Sequence, residues 1–134
     1  MLQFNKELDY ALQLLCVLDE VKTNQCLSLR QFSQDRGISF LFLQRIARKL
    51  RQNGIIKSTQ GACGGYMLDK DLKKLSLKQL IEIIDGPYAV VDCLKSGCLC
   101  PKSKVCQTHK IFKKINSSLA EYLDNVKIAD LIKE

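Results

Sequence analysis

Four thiols and the single imidazole of a 134-residue chain fall within one short segment, as Cys93, Cys98, Cys100, Cys106 and His109. Thiolates are soft ligands that suit iron–sulfur clusters or zinc, and a neutral imidazole can complete either set. Spacing alone leaves iron–sulfur and zinc level, with uncoordinated redox thiols behind, and does not name the metal. The chain holds seven cysteines, an odd number. In a chain expected to carry no export signal, such a cluster points to metal binding or redox sensing and not to a disulfide framework. Cys16 and Cys26 read as small buried hydrophobes and Cys63 as an exposed turn residue.

A second constellation is defined by charge. Lys and Arg total 21 against 14 Asp and Glu, a formal net charge of +7, and no acidic residue occurs between Asp35 and Asp69. Within that stretch stand Arg36, Arg45, Arg48, Lys49, Arg51 and Lys57. A chain that needed only solubility would mix its signs. Duplex DNA carries a phosphate charge every ~1.7 Å of axis and rewards such a patch through counterion release. The plain alternative is a solvated helix face.

The elements that must position these groups are legible from periodicity. Leu8, Ala11, Leu12, Leu15 and Leu18 recur at helical spacing behind Asn5, a candidate N-cap, which predicts a helix over 6–21. Ser28 with Gln31 has capping-box spacing ahead of a short helix, Leu29 to Arg36, which Gly37 ends. Ser39 caps a third helix, about Phe40 to Gln52, with Leu43, Ile46, Ala47 and Leu50 on one face and Asn53-Gly54 at its close. Helix, short glycine turn, helix is the spacing of a helix-turn-helix. Its second helix can enter a major groove about 12 Å wide, with Gln44 and Arg45 as base readers and Arg48, Lys49 and Arg51 on phosphates.

Two β-prone runs, from Ile55 to Thr59 and from Tyr66 to Leu68, flank Gly61-Ala62-Cys63-Gly64-Gly65 and predict a hairpin. A glycine-rich tip lets backbone approach a phosphate or a minor groove without Cβ clashes; its plain alternative is an ordinary surface turn. Ser76 with Gln79 opens a further short helix that presents Leu77, Leu80, Ile81 and Ile84 to the core and ends at Asp85-Gly86-Pro87. A cysteine-bearing loop follows. From about Thr108 to Asn125, Ile111, Phe112, Ile115, Leu119, Tyr122, Leu123 and Val126 define a long closing helix whose stripe is wide enough for its own domain and a partner helix.

The expected fold is therefore mainly α with a small β-hairpin wing: a winged helix-turn-helix domain at 1–86, a cysteine-rich loop at 87–107, and a dimerisation helix with a tail at 108–134. At 46% hydrophobic and 26% charged residues the chain can bury one core, and a large multidomain enzyme is excluded. The first twenty residues carry Lys6, Glu7, Asp9, Asp19 and Glu20, so neither a membrane span nor a signal peptide is expected, and the expected compartment is the cytoplasm. Catalysis is not expected, since the one histidine lies among the candidate ligands and no activated nucleophile or carboxylate pair stands apart.

The chain resembles the IscR/NsrR/CymR-type (Rrf-two) family of bacterial winged-helix transcription regulators. The matching pieces are Asp9-Tyr-Ala-Leu12, Ser28-Leu-Arg30, Gly37-Ile-Ser39, Lys49-Leu-Arg-Gln-Asn-Gly-Ile-Ile-Lys-Ser58, Gly64-Gly-Tyr66, Cys106-Gln-Thr-His109 and Tyr122-Leu-Asp-Asn125, in that order over nearly the whole chain. The resemblance implies a homodimer held by the long C-terminal helix, gripping a double-stranded DNA operator with two recognition helices and two wings. The DNA-contacting set is then Ser28, Arg30, Ser39, Phe40, Gln44, Arg45, Arg48, Lys49, Arg51, Lys57, Ser58, Gly61, Gly64, Gly65 and Tyr66.

In cluster-binding members, three loop cysteines and one further residue hold a 2Fe-2S or 4Fe-4S centre, which puts an Fe-S cluster ahead of zinc here. IscR-like proteins take the histidine three positions after the last cysteine, which is His109; NsrR-like proteins can take an acidic residue of the partner's first helix, matching Asp9. Cys93, Cys100 and Cys106 lie near the even spacing of IscR-like members, with Cys98 as alternative middle ligand. The function expected is that of a sequence-specific regulator, a repressor, whose operator affinity responds to an Fe-S cluster or to thiol redox state. Neither a membrane partner nor a small-molecule substrate is expected. The competing readings are a zinc- or thiol-switched repressor, and an iron–sulfur electron carrier or scaffold, which leaves the acid-free stretch and the wing without a purpose.

Overall fold

A computed structural model describes residues 3–21, 25–60, 64–87, 89, 94 and 105–133. Gly61, Cys63, Cys93, Cys98 and Cys100 lie outside the described residues. Among the described residues the element order is α1 (Lys6–Glu20), α2 (Leu29–Arg36), α3 (Phe40–Gln52), β1 (Ile56–Thr59), β2 (Gly65–Leu68), α4 (Leu77–Asp85), α5 (Gln107–Asn125) and α6 (Ile128–Ile132), with a 3-10 turn at Leu72–Lys74 between β2 and α4.

The helix starts are set by side-chain caps that satisfy otherwise orphaned backbone donors. The Leu8 N–H donates to Asn5 Oδ1 at 2.9 Å, that of Gln31 to Ser28 Oγ at 3.3 Å, and that of Phe42 to Ser39 Oγ at 3.4 Å. Ser76 and Gln79 close a reciprocal capping box on α4. Between α2 and α3, Gly37 adopts φ 64°, the left-handed conformation that an ordinary residue reaches at a cost of about 1 kcal/mol or more. That turn sets the angle between the two helices of the helix-turn-helix.

The wing is an antiparallel pair with Ile56 opposite Leu68 and Ser58 opposite Tyr66. It gains a third member: Leu27 and Tyr66 exchange two backbone hydrogen bonds of 2.8 Å each. Gly65 is required at this crossing, because a Cβ there would land on the Leu27 carbonyl. The wing is thus stitched to the segment that leads into α2.

One core unites Leu8, Leu15, Leu43, Ile46, Leu50, Ile56, Leu80 and Ile84 with Leu123 and Ile128 near the C-terminus. The stripe of α3 is buried as its periodicity predicts. On α1 the buried set includes Leu14, while Leu12 is only half-buried. The 3-10 turn and α6 have no counterpart in the periodicity: they are too short for the pattern to be legible. Both matter to the packing, because Leu72, Leu75 and Ile128 are buried there.

The join between α5 and α6 is clamped to the start of α4. The Leu77 N–H donates to the Val126 carbonyl and the Ile128 N–H to the Leu75 carbonyl, each at 2.8 Å. Ser76, fully buried, donates through Oγ to Asp124 Oδ1 at 3.2 Å. Upstream of that clamp α5 stands away from the core, and of its apolar stripe only Leu123 is buried. Ile111 is 54% exposed, Ile115 44% and Tyr122 65%.

Candidate nucleic-acid interface

The capping of α3 by Ser39 and the burial of Leu43, Ile46, Ala47 and Leu50 fix which side of the helix is left outward. Leu41, Gln44, Arg45 and Arg48 are exposed and follow helical spacing along that side, with Arg51 exposed in the last turn. Gln44, Arg45, Arg48 and Arg51 are thus all open to solvent. Leu41, 78% exposed, is an addition to the candidate set. Its signal in the sequence is an apolar residue on the polar side of an otherwise well-phased helix, and such a side chain suits a thymine methyl group.

Lys49 departs from expectation. Its ammonium donates to Glu7 Oε1 and to the Ile84 carbonyl, both at 2.7 Å. It is half-buried between α1, α3 and α4, so it joins helices where a phosphate contact was expected. Lys49 lies at the flank of the buried stripe, one turn from exposed Arg45 and buried Ile46, and periodicity alone does not tell an outward lysine from one that turns back to a carboxylate.

Arg45 is the most constrained of the outward cations. Its guanidinium lies 4.9 Å over the Phe42 ring, and its Nε is 3.8 Å from Glu7 Oε1. Arg30 of α2 stacks at 4.4 Å over Phe40, the first residue of α3. Cation–π contacts of this kind contribute about 0.5–1 kcal/mol at exposed sites, and the Arg30–Phe40 contact links the two helices of the motif. Ser28 and Ser39, both in the candidate set, accept from backbone N–H groups at their helix starts, and their hydroxyls remain at the surface.

On the wing, Lys57 and Ser58 are exposed, Tyr66 is half-buried against the core, and Gly64 is exposed beside the tip. Lys57 lies 3.8 Å from Asp69, with side chains 53% and 47% exposed. Such a surface pair is worth about 0–1 kcal/mol, so an external phosphate can displace Asp69 at little cost.

Of the candidate ligands, Cys106, His109 and Asp9 fall in the described residues. Cys106 occupies the N-cap of α5, where its Sγ shares a hydrogen bond with Thr108 Oγ1 at 3.0 Å. A thiolate at a helix N-terminus is favoured by the macrodipole. His109, one turn further, is half-buried. Asp9 is exposed on α1, accepts from Gln13 Nε2 at 3.2 Å, and lines an apolar groove of about 260 Å³ with Phe4, Leu8, Leu12, Leu77 and Leu131. Cys16 is a different kind of thiol: burial pushes its pKa up, Glu20 and Asp19 add to the shift, and Arg36 opposes it. Cys16 and Cys26 are both only half-buried, where the sequence reading has them as buried hydrophobes.

Among the described residues, helices and a hairpin in this order define a winged helix-turn-helix protein with a long helix towards the C-terminus. The Rrf2 (Rrf-two) family profile, described as iron-dependent transcriptional regulators, matches residues 4–134, and the chain belongs to that family. It is 29% identical over 104 residues to the HTH-type transcriptional regulator IscR of Escherichia coli, a match covering 78% of this chain. The match spans 64% of that relative's length. Among solved structures, CymR, the global cysteine regulator of B. subtilis, superposes with a TM-score of 0.76 at 25% identity, covering 98% of this chain and 97% of that one. The IscR of T. potens shares the fold, with a TM-score of 0.74 at 23% identity over 98% of this chain and 87% of that one. Among the described residues, no helix is long and apolar enough to cross a membrane.

Proposed function

We propose that the chain is a homodimeric, sequence-specific DNA-binding transcription regulator, a repressor working in the cytoplasm, whose operator affinity is set by an Fe-S cluster or by thiol redox state. The observation that carries the reading is the outward side of α3, where Gln44, Arg45 and Arg48 stand exposed on a helix whose opposite side is core. The exposed stripe of α5 supports the homodimer, since Ile111, Phe112, Ile115 and Tyr122 need a second apolar surface. A dimer would present two recognition helices and two wings to a two-fold operator.

What supports a cluster is the chemistry of Cys106 at the α5 N-cap, His109 one turn on and Asp9 exposed on α1; among the described residues no three such groups stand together as a metal site. Cys106 with Cys93 and Cys100 would supply three thiolates, Cys98 the alternative, and His109 or Asp9 of the partner subunit the fourth ligand. The bound group would supply a centre whose charge changes with oxidation or loss. A change in the segment that would hold it would reach the rest of the chain through α5, which is fastened at its far end to α4 by Ser76 and Asp124. In turn α4 meets α1 through Asn5 and Asp85 at 2.7 Å and α3 through Lys49. A coupling of about 1–3 kcal/mol is enough to change affinity by about 5- to 150-fold.

A thiol-switched regulator without iron is the second reading, favoured by the likeness to CymR. Selection of duplexes from a random library by the anaerobically purified protein tests the DNA reading. A recovered motif whose affinity falls steeply with salt is expected, and Arg45→Ala should cost about 1–3 kcal/mol of discrimination at one base pair per half-site. Unchanged binding by Arg45→Ala would refute its base-reading role. Iron and sulfide analysis of the same preparation separates the two sensors: charge-transfer absorption with stoichiometric iron supports the cluster, and its absence supports the thiol switch.

A further inference from the structure

An acidic residue stands beside the cations of α3, where a phosphate-binding surface gains nothing from it. Glu7, in the first turn of α1, has a side chain only 16% exposed. Its Oε1 receives the Lys49 ammonium at 2.7 Å and lies 3.8 Å from Arg45 Nε. Lys49 is itself anchored on the Ile84 carbonyl of α4, so the carboxylate is held from behind by two other helices. On its other side the Arg45 guanidinium rests on Phe42. The Phe42 ring in turn meets Tyr10 edge-on, with centroids 5.6 Å apart and planes at 89°. Glu7 and Tyr10 are three residues apart on α1 and share one side of that helix.

We infer that Glu7, backed by Lys49 and working with the Tyr10–Phe42 pair, is a positioning residue that fixes the Arg45 guanidinium for reading one base pair. The inference rests on the reading of α3 as the base-reading helix. An arginine recognises a guanine edge through two parallel N–H donors, which needs a fixed plane as well as a charge. Glu7 engages the Nε side and Phe42 one face of the guanidinium, while Arg45 remains 59% exposed. In the proposed arrangement the carboxylate and the ring together limit the planes open to the guanidinium, and its terminal nitrogens remain for a base edge. The carboxylate also repels phosphates, so the arrangement raises discrimination at the expense of bulk affinity.

Opposite signs for those two quantities make the proposal testable. The probes are the duplex that the full-length wild-type protein selects from a random library and a scrambled duplex of equal length and composition. Glu7→Gln, which keeps the shape and removes the charge, should bind the scrambled duplex as tightly as wild type or more so. Its preference for the selected duplex should fall by about tenfold, within the range expected for loss of one bidentate base contact. Re-selection with Glu7→Gln should lose the same base pair that Arg45→Ala loses, and the double variant should be no less selective than Arg45→Ala alone.

Tyr10→Leu, which leaves the Glu7–Lys49 pair in place, should lose that base pair without tighter binding to scrambled DNA. It also serves if Glu7→Gln fails to fold. Equal weakening on both duplexes, or an intact motif in Glu7→Gln and Tyr10→Leu, would overturn the inference while leaving the DNA-binding reading standing. Failure of the wild type to select any motif would overturn both.

Discussion

Lys49 and Arg51 are both cations in the last turn of α3, yet their surroundings assign them different work. Lys49 donates two hydrogen bonds of 2.7 Å inside the protomer, one of them to a carboxylate. Arg51 is exposed on the outward side. Replacing Lys49 by Met leaves the Glu7 carboxylate poorly compensated and is expected to lower stability by about 1–3 kcal/mol, read as a shift in the urea midpoint. Arg51→Ala should leave that midpoint within about 0.5 kcal/mol. It should instead reduce the slope of log affinity against log salt by about one. A stability loss in Arg51→Ala, or none in Lys49→Met, would reverse these assignments.

Among the elements, the wing depends most on a single residue type. A two-stranded hairpin is marginal by itself, and this one is held by the Leu27–Tyr66 bridge as well as by packing of Tyr66 and Leu68 on the core. Gly65→Ala puts a methyl group against the Leu27 backbone, which cannot yield as a flexible side chain would. The expected cost is about 1–3 kcal/mol, as for other overpacked sites. Amide exchange should report it locally: protection at Leu27 and Tyr66 should fall well before that at Leu43 or Ile46 in α3. Uniform loss of protection would mean that the wing is not a separable unit.

For the whole molecule, the decisive feature is a 19-residue helix whose hydrogen-bonded clamp to the core, among the described residues, lies at its C-terminal end. The clamp at Ser76, Asp124 and Ile128 makes the C-terminal turn of α5 part of the core, while the apolar residues upstream are exposed. Ile115→Glu should therefore leave the fold and the midpoint of a protomer intact, because Ile115 is 44% exposed and outside the core. It should shift the protein to monomer in sedimentation, and affinity for a two-fold operator should drop by about 10²-fold or more with the loss of simultaneous engagement. A dimer that survives this change would move the interface off α5.

The sequence by itself determined the helices with strong periodicity, their caps, the hairpin, and the separation of a basic, acid-free stretch from a cysteine-bearing segment. Caps and period depend on neighbours three or four positions away, so they are legible in one dimension. Only the tertiary structure decided that Lys49 turns inward to Glu7, that Gly65 is required by Leu27, and that α6 with the 3-10 turn closes the core. Each of those rests on a contact between residues far apart in the chain, and no local spacing encodes which distant backbone or carboxylate will be near. The same holds for Arg45: its charge was readable in the sequence, but the carboxylate and ring that orient it are brought together only when α1 packs against α3.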